Sequence, residues 1–236
     1  MRLVLIKPNI GRREHSLYVD EGRMEPLQLG ILAALTPKDI DVVMYDDRME
    51  EIPYDEPADL VAITVETFTA RRAYEISESY QQRGVPTVMG GMHVVLLPEE
   101  VKEHADSIII GDAENVWQQM LEDFKNGVLQ KQYKAAQPLI PQKGVITRRD
   151  IFEGKGYLPI TLLQYSRGCK YHCNFCASTA YFNGKHYCRD IAEVVEEIKS
   201  QKRKLLFFVD DNIVSDFEKA KLLFRALIPL KVKWVS

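Results

Sequence analysis

Through its first 126 residues the chain alternates short apolar runs with stretches of helical spacing, and few folds accommodate that pattern. Runs at 3–6, 41–45, 60–65, 87–89 and 107–110 are rich in Val, Ile, Leu and Met, with little polar alternation. Strands that read this way are buried on both faces. Between them, 27–35, 70–83, 98–104 and 115–126 carry apolar residues at helical spacing. The alternation predicts a parallel sheet of about five strands with helices on both sides, a doubly wound, flavodoxin-like α/β domain over 1–127. Ligands of such domains bind beyond the carboxyl ends of the strands.

Residues 128–157 show no sustained period and hold Pro138, Pro141, Gly144, Gly154 and Gly156, which predicts a linker with at most a strand or two. The alternation then resumes, with strands expected at 160–165, 205–209 and 232–235 and helices at 191–201 and 216–227. Asp190 and Ser215 or Asp216 stand where N-caps belong, ahead of acidic first turns (Glu193, Glu196, Glu197; Glu218). Two βα units and a third strand cannot close a barrel, and an open three-stranded sheet leaves edges bare. Either the sheet is completed by the first domain or by a partner, or 158–236 is the beginning of a fold that continues in a longer protein, and the second is the expectation.

Of 236 residues, 46 % are hydrophobic, enough for two modest cores. With 31 basic and 34 acidic side chains the net charge is −3, so there is no basic footprint for nucleic acid or an anionic membrane. The N-terminal apolar stretch, interrupted by Lys7, is too short for an export signal, and no apolar run approaches the ~18 residues of a membrane span. The expected location is the cytoplasm, where clustered cysteines stay reduced and more often bind metal or do chemistry than pair.

Three of the four cysteines share one loop. The segment Gln164-Tyr165-Ser166-Arg167-Gly168-Cys169-Lys170-Tyr171-His172-Cys173-Asn174-Phe175-Cys176 is a strand running into a C-x-x-x-C-x-x-C loop. Three thiolates from one short loop suit a cubane iron–sulfur cluster and leave its fourth iron open to a small molecule. Zinc is the competing metal; it wants four ligands and would recruit His172, His186 or Cys188. Redox dithiol chemistry usually rests on a lone C-x-x-C and explains less of the loop. Cys188 lies outside the triplet and reads as a partly buried thiol. Further on, Asp210-Asp211-Asn212 place two carboxylates and an amide at the carboxyl end of a barrel-type strand, where active sites lie. A polar strand end followed by a turn is the plain alternative.

The cysteine loop resembles that of the radical S-adenosylmethionine superfamily, including the aromatic residue, Phe175, ahead of the last cysteine. The resemblance implies that 158–236 forms the first βα units of a TIM-like (β/α) barrel and that Cys169, Cys173 and Cys176 hold a [4Fe-4S] cluster, with S-adenosylmethionine chelating the unique iron through its amino and carboxylate groups. It implies one-electron cleavage of the sulfonium to methionine and a 5′-deoxyadenosyl radical, the electron coming from a donor such as flavodoxin or ferredoxin. Phe175, Asp211 and Asn212 are then the candidate contacts to S-adenosylmethionine.

A doubly wound domain ahead of such a loop is similar to the cobalamin-binding domain of one large class of that superfamily. The resemblance rests on the helix 26–35, on Thr64 and Thr67 after the third strand, on Gly90, Gly91 and His93 after the fourth, and on Gly111 and Glu114 after the fifth. These seven residues are the candidate cobalamin contacts. Adjacent glycines let a bulky ligand approach the backbone, and threonine hydroxyls can bond its amides or phosphate. Gly90-Gly91 alone also reads as a turn, and His93 as a hydrogen-bonded loop histidine. The D-x-H-x-x-G loop of cobalamin-dependent methyltransferases and mutases is replaced by Asp46-Asp47-Arg48-Met49-Glu50-Glu51, with Arg48 where the cobalt-ligating histidine would stand. A G-x-G-x-x-G fingerprint and a P-loop are absent, which leaves NAD and ATP without support. The class implies methyl transfer to an unactivated carbon or phosphorus centre, or a related ring-forming or rearranging reaction, on a small-molecule or peptide substrate. Two other readings stay open: a non-catalytic flavodoxin-like binding module with a structural zinc loop, and an inactive fragment of the radical enzyme.

Overall fold

The computed structural model describes residues 1–10, 23–136 and 144–236. They belong to two compact units, 1–136 with 147–156, and 137–146 with 157–236.

The first unit is built on six strands, β1 (Arg2–Lys7), β2 (Asp41–Asp46), β3 (Leu60–Thr64), β4 (Thr87–Gly90), β5 (Ser107–Ile110) and β6 (Gln132–Lys134). Their order is β2-β1-β3-β4-β5-β6, and every neighbouring pair is parallel. Among the described residues five helices accompany them: α1 (Leu27–Leu35), α2 (Ala70–Gln81), α3 (Met92–Leu96), α4 (Pro98–Val101) and α5 (Trp117–Lys125). All five residues of β3 are buried, which is why that run reads as continuously apolar. Val4, Ile6, Val61 and Ile63 pack with Ala73, Ile76 and Tyr80 of α2 and with Val94 and Val101. Leu3 and Leu5 alternate to the opposite face, where α1 lies against β1. The indole N–H of Trp117 in α5 donates to Thr36 Oγ1 at 2.9 Å, just past α1. Chain direction through the sheet reverses between β1 and β3, so a crevice opens there at the carboxyl ends.

The stretch expected as a linker is not uniform. Gln132–Lys134 adds a sixth strand at the sheet edge, and 147–156 packs back on the first unit. Thr147 and Phe152 come so close to Gly30 of α1 that a Cβ there would sit 2.5 Å from Thr147 Cγ2 and 2.9 Å from Phe152 Cζ. Arg149 reaches Glu25 at 2.7 Å, and Arg148 N–H bonds the Gly30 carbonyl at 3.0 Å. Pro138 and Pro141 lie outside the described residues.

In the second unit, β7 (Thr161–Leu163), β10 (Leu205–Phe208) and β11 (Lys233–Val235) form a parallel sheet in the order β11-β10-β7, and β8 (Ser166–Gly168) pairs antiparallel with β9 (His186–Cys188). Its helices are α6 (Ala177–Phe182), α7 (Ile191–Ser200) and α8 (Phe217–Leu227). Leu163, Leu206 and Phe208 meet Val194 and Ile198 of α7 and Leu223 and Leu227 of α8 in one core. Asp190 caps α7 by accepting from Ala192 N at 2.7 Å, and Asp216, not Ser215, caps α8 by accepting from Lys219 N at 3.1 Å. The alternation of β7, α7, β10, α8 and β11 matches the expected βα units, and among the described residues their sheet is open rather than closed into a barrel. No described helix is long and apolar enough to cross a membrane.

Candidate functional site

At the crevice of the first unit, β1 ends in Lys7, which is buried and ion-paired with Glu66 just beyond β3. The two strands flanking the reversal are therefore tied by opposite charges. Lys7 Nζ also lies 5.9 Å from the ring centre of Phe68, which is 65 % exposed. β2 leads into Asp46 and Asp47, both almost wholly buried, and buried carboxylates persist only when paired. Asp47 receives Arg72 of α2 through two bonds of 2.8 and 2.9 Å and the backbone N–H of Asn9 at 3.2 Å. The Asp47 carboxylate pushes the Arg72 pKa up. Asp46 receives Arg48 at 2.6 and 2.8 Å, and Arg48 also donates to the Met24 carbonyl at 2.8 Å. The residue standing in place of a cobalt ligand is thus committed to Asp46 and to the Met24 carbonyl.

Thr64 closes β3 and is buried, while Thr67 and Phe68 are exposed on a short 3-10 turn, Thr67–Thr69. That turn is clamped by Glu66 N–H donating to Thr69 Oγ1 at 3.1 Å. Gly90 ends β4 with open surroundings: a Cβ there would meet only Ile109, at 3.8 Å. Gly91 has φ 118° and ψ −176°, and its absent Cβ would lie 2.6 Å from the Val65 carbonyl oxygen. It is glycine so that the loops after β3 and β4 can touch. Gly111 follows β5 at φ 95°, and Glu114 is half-buried in the short turn Ala113–Asn115. His93 is placed differently from the expectation of a cofactor contact. It is buried, with Nδ1 3.2 Å from Thr67 Oγ1 and Nε2 3.2 Å from the Tyr74 hydroxyl, which donates to Glu100 at 2.8 Å. Both ring nitrogens are engaged by protein, so the imidazole holds the Thr67 turn from behind. Burial, helped by Glu100, raises the Tyr74 pKa. The structure brings Thr64, Thr67, Gly90, Gly91 and Gly111 to one sheet edge; sequence reasoning missed Lys7, Glu66, Phe68, Asp47 and Arg72, although a lysine inside an apolar strand was a usable signal.

In the second unit the cysteine loop leaves the β8–β9 hairpin at Gly168. With φ 78°, a side chain there would place Cβ 2.2 Å from the Lys185 carbonyl, so only glycine fits. Cys169 and Cys176 are half-buried, Cys173 is exposed, and all four cysteines are free thiols. Backbone N–H groups of Thr179 and Ser178 hold the Cys176 thiol below its ordinary value, which favours the thiolate that a cluster or zinc needs. Phe175 is 88 % exposed. Among the described residues no three His, Cys, Asp or Glu side chains are gathered into a metal-binding group, which applies equally to the cysteine triplet and to the four-ligand zinc set. Cys188 Sγ lies 3.8 Å from His186 Nδ1; burial pushes the Cys188 thiol up and the His186 imidazole down.

Asp211 and Asn212 are turned onto this loop. Asp211 accepts from Gly168 N at 2.8 Å and from the Ser178 hydroxyl, and the Asn212 amide donates to Cys169 Sγ at 3.5 Å. Their neighbour Asp210 accepts from Tyr165 N at 3.2 Å, from Ser166 N, and from Ser166 Oγ at 2.5 Å. Burial pushes the Asp210 pKa up, against these hydrogen bonds.

Residues 19–121 match the B12 binding domain family. The chain is 33 % identical, over 201 residues, to the bacteriochlorophyllide d C-8(2)-methyltransferase of Chlorobaculum tepidum, an alignment covering 80 % of this chain and 44 % of that protein. It is 30 % identical over 245 positions to the C-12(1)-methyltransferase of the same organism, covering 98 % of this chain and 53 % of that protein. The chain carries a B12-binding domain and is similar along most of its length to proteins named as methyltransferases. The hopanoid C-2 methylase of Rhodopseudomonas palustris is a more distant relative, 23 % identical over 89 % of this chain and 41 % of its own length. The chain spans about half the length of the curated relatives it matches. The segment matched to the B12 binding domain contains all seven candidate cobalamin residues, from Thr64 to Glu114.

Proposed function

We propose that this chain takes part in cobalamin-dependent methyl transfer driven by radical S-adenosylmethionine chemistry. The observation that carries the reading is the presence, in one chain, of a B12-binding domain and a free three-thiol loop set between the antiparallel strands β8 and β9, a few residues beyond the parallel strand β7. The first unit would hold cobalamin at the carboxyl edge of β3, β4 and β5, where the Gly90 backbone is open to close approach and Thr64, Thr67, Gly91, Gly111 and Glu114 surround it in sequence. Arg48 is engaged by Asp46, so this loop offers cobalt no histidine. Cys169, Cys173 and Cys176 would hold the [4Fe-4S] cluster, and the low-lying Cys176 thiol suits that duty. When bound, the cluster with S-adenosylmethionine supplies one-electron bond cleavage and cobalamin supplies a transferable methyl group, while the protein positions them and excludes water and oxygen. The acceptor is an unactivated carbon of a small-molecule or peptide substrate, a choice supported by relatives named for methylation at numbered carbons. Flavodoxin or ferredoxin is the proposed electron donor. Anaerobic assembly with iron and sulfide, followed by reductant and S-adenosylmethionine, is expected to release methionine and 5′-deoxyadenosine. A chain that instead takes up one zinc ion and resists cluster assembly would overturn the proposal in favour of a structural zinc loop.

A further inference from the structure

The loop at 210–215 reaches from the end of β10, past its neighbour β7, to β8 and the start of the cysteine loop that follows β8. Backbone amides left over by strand pairing need other acceptors, and in 165–170, which is β8 with the residues on either side of it, four amides are satisfied by side chains of this one partner. Tyr165 N donates to Asp210 at 3.2 Å and Ser166 N to the same carboxylate. Gly168 N donates to Asp211 at 2.8 Å, and Lys170 N to the fully buried hydroxyl of Ser215 at 3.0 Å. Asn212 accepts from Val214 N at 3.2 Å through Oδ1, which leaves its amide N–H aimed at Cys169 Sγ. Both oxygens of Asp210 and of Asp211, and both ends of Asn212, face protein groups.

We infer that the 210–215 loop is a strap that pre-forms the cysteine loop, with Asp210, Asp211, Asn212 and Ser215 as positioning residues rather than cofactor contacts. The inference rests on reading 169–176 as the cluster loop, yet its geometry is tested without a cluster. Hydrogen exchange followed by mass spectrometry on the metal-free full chain reads the four amides directly. Asp211→Ala is expected to speed exchange at 165–170 roughly tenfold, the loss of about one hydrogen bond to a charged acceptor. Asp211→Asn is expected to restore protection, because its carboxamide oxygen still accepts from Gly168 N and the Ser178 hydroxyl can turn to accept instead. Asp210→Asn is expected not to, because one of two backbone N–H groups then faces an NH2 and neither can turn. Asn212→Asp leaves exchange unchanged but removes the donor at Cys169, so a bound cluster is expected to titrate at a more negative potential.

Unchanged exchange in Asp211→Ala, or unchanged exchange and iron uptake with weakened S-adenosylmethionine binding, would overturn the strap in favour of direct cofactor contact. If wild-type chain takes up no iron while the contrast between Asp210→Asn and Asp211→Asn persists, the strap stands and the cluster reading falls.

Discussion

In the first unit the loops at the sheet edge are held by buried charge, Lys7 to Glu66, Arg72 to Asp47 and Arg48 to Asp46, whereas in the second the cysteine loop is held by backbone N–H groups donating into a side-chain strap. The sheets explain the contrast. Six parallel strands, covered on both faces, give the first unit a firm edge from which short loops spring. There, a few desolvated ion pairs and one close approach at Gly91 suffice. Three strands of three or four residues give the second unit less framework, so an irregular loop borrows its order from the next βα connection. The edge of the broad sheet is thus set by strand ends tied by ion pairs, and the cysteine loop on the narrow sheet by side chains from a neighbouring loop.

The sharpest way to break this comparison is to remove thiols. Alanine at Cys169, Cys173 or Cys176 is expected to abolish iron and sulfide uptake while cobalamin binding by the first unit persists; Cys188→Ala is expected to keep both. Retained iron in any of the triplet variants, measured per chain, would refute the ligand assignment.

Charge tying of the first unit is tested next. Arg72→Met strands a buried carboxylate at Asp47 and is expected to cost about 3 kcal/mol in urea unfolding; a loss under about 1 kcal/mol would show that charge does not hold this edge. Gly91→Ala puts a side chain into the Val65 carbonyl at a backbone geometry reserved for glycine and is expected to cost about 2 kcal/mol. Gly90→Ala, whose added Cβ would make only ordinary contact with Ile109 at 3.8 Å, is expected to leave stability within about 0.5 kcal/mol of wild type and to weaken cobalamin binding.

The smallest effect is alkaline. Burial raises the pKa of Tyr74 and Tyr80 in the first unit and of Tyr165 in the second. A phenol whose folded pKa is raised contributes fully below its ordinary value of about 10, and that contribution is lost as pH rises through the folded value. Stability is expected to hold to about pH 10 and fall above it, and Tyr80→Phe to flatten the fall; unfolding midpoints measured from pH 8 to 11 check this, and an unchanged slope would exclude Tyr80 as a contributor.

Much of the first unit was legible because burial on both faces writes itself as uninterrupted apolar runs such as Leu60–Thr64. β6 was not, since an edge strand of three residues with one buried side chain, Tyr133, has no run to read. Met92–Leu96 is too short for helical periodicity to appear. In the second unit, β8 and β9 are polar triplets, Ser-Arg-Gly and His-Tyr-Cys, paired only because Gly168 permits the close approach. Thiol spacing marked the cysteine loop at once. That Asp211 and Asn212 face the loop, and that His93 faces inward, depends on side-chain direction at strand ends, where no periodicity applies.

Elemental content and the visible spectrum of anaerobically purified protein test the central claim most directly. Cobalamin-dependent radical chemistry predicts about four iron and four sulfide per chain, together with cobalt in a corrinoid spectrum. One zinc per chain, with neither iron nor cobalt, would contradict it.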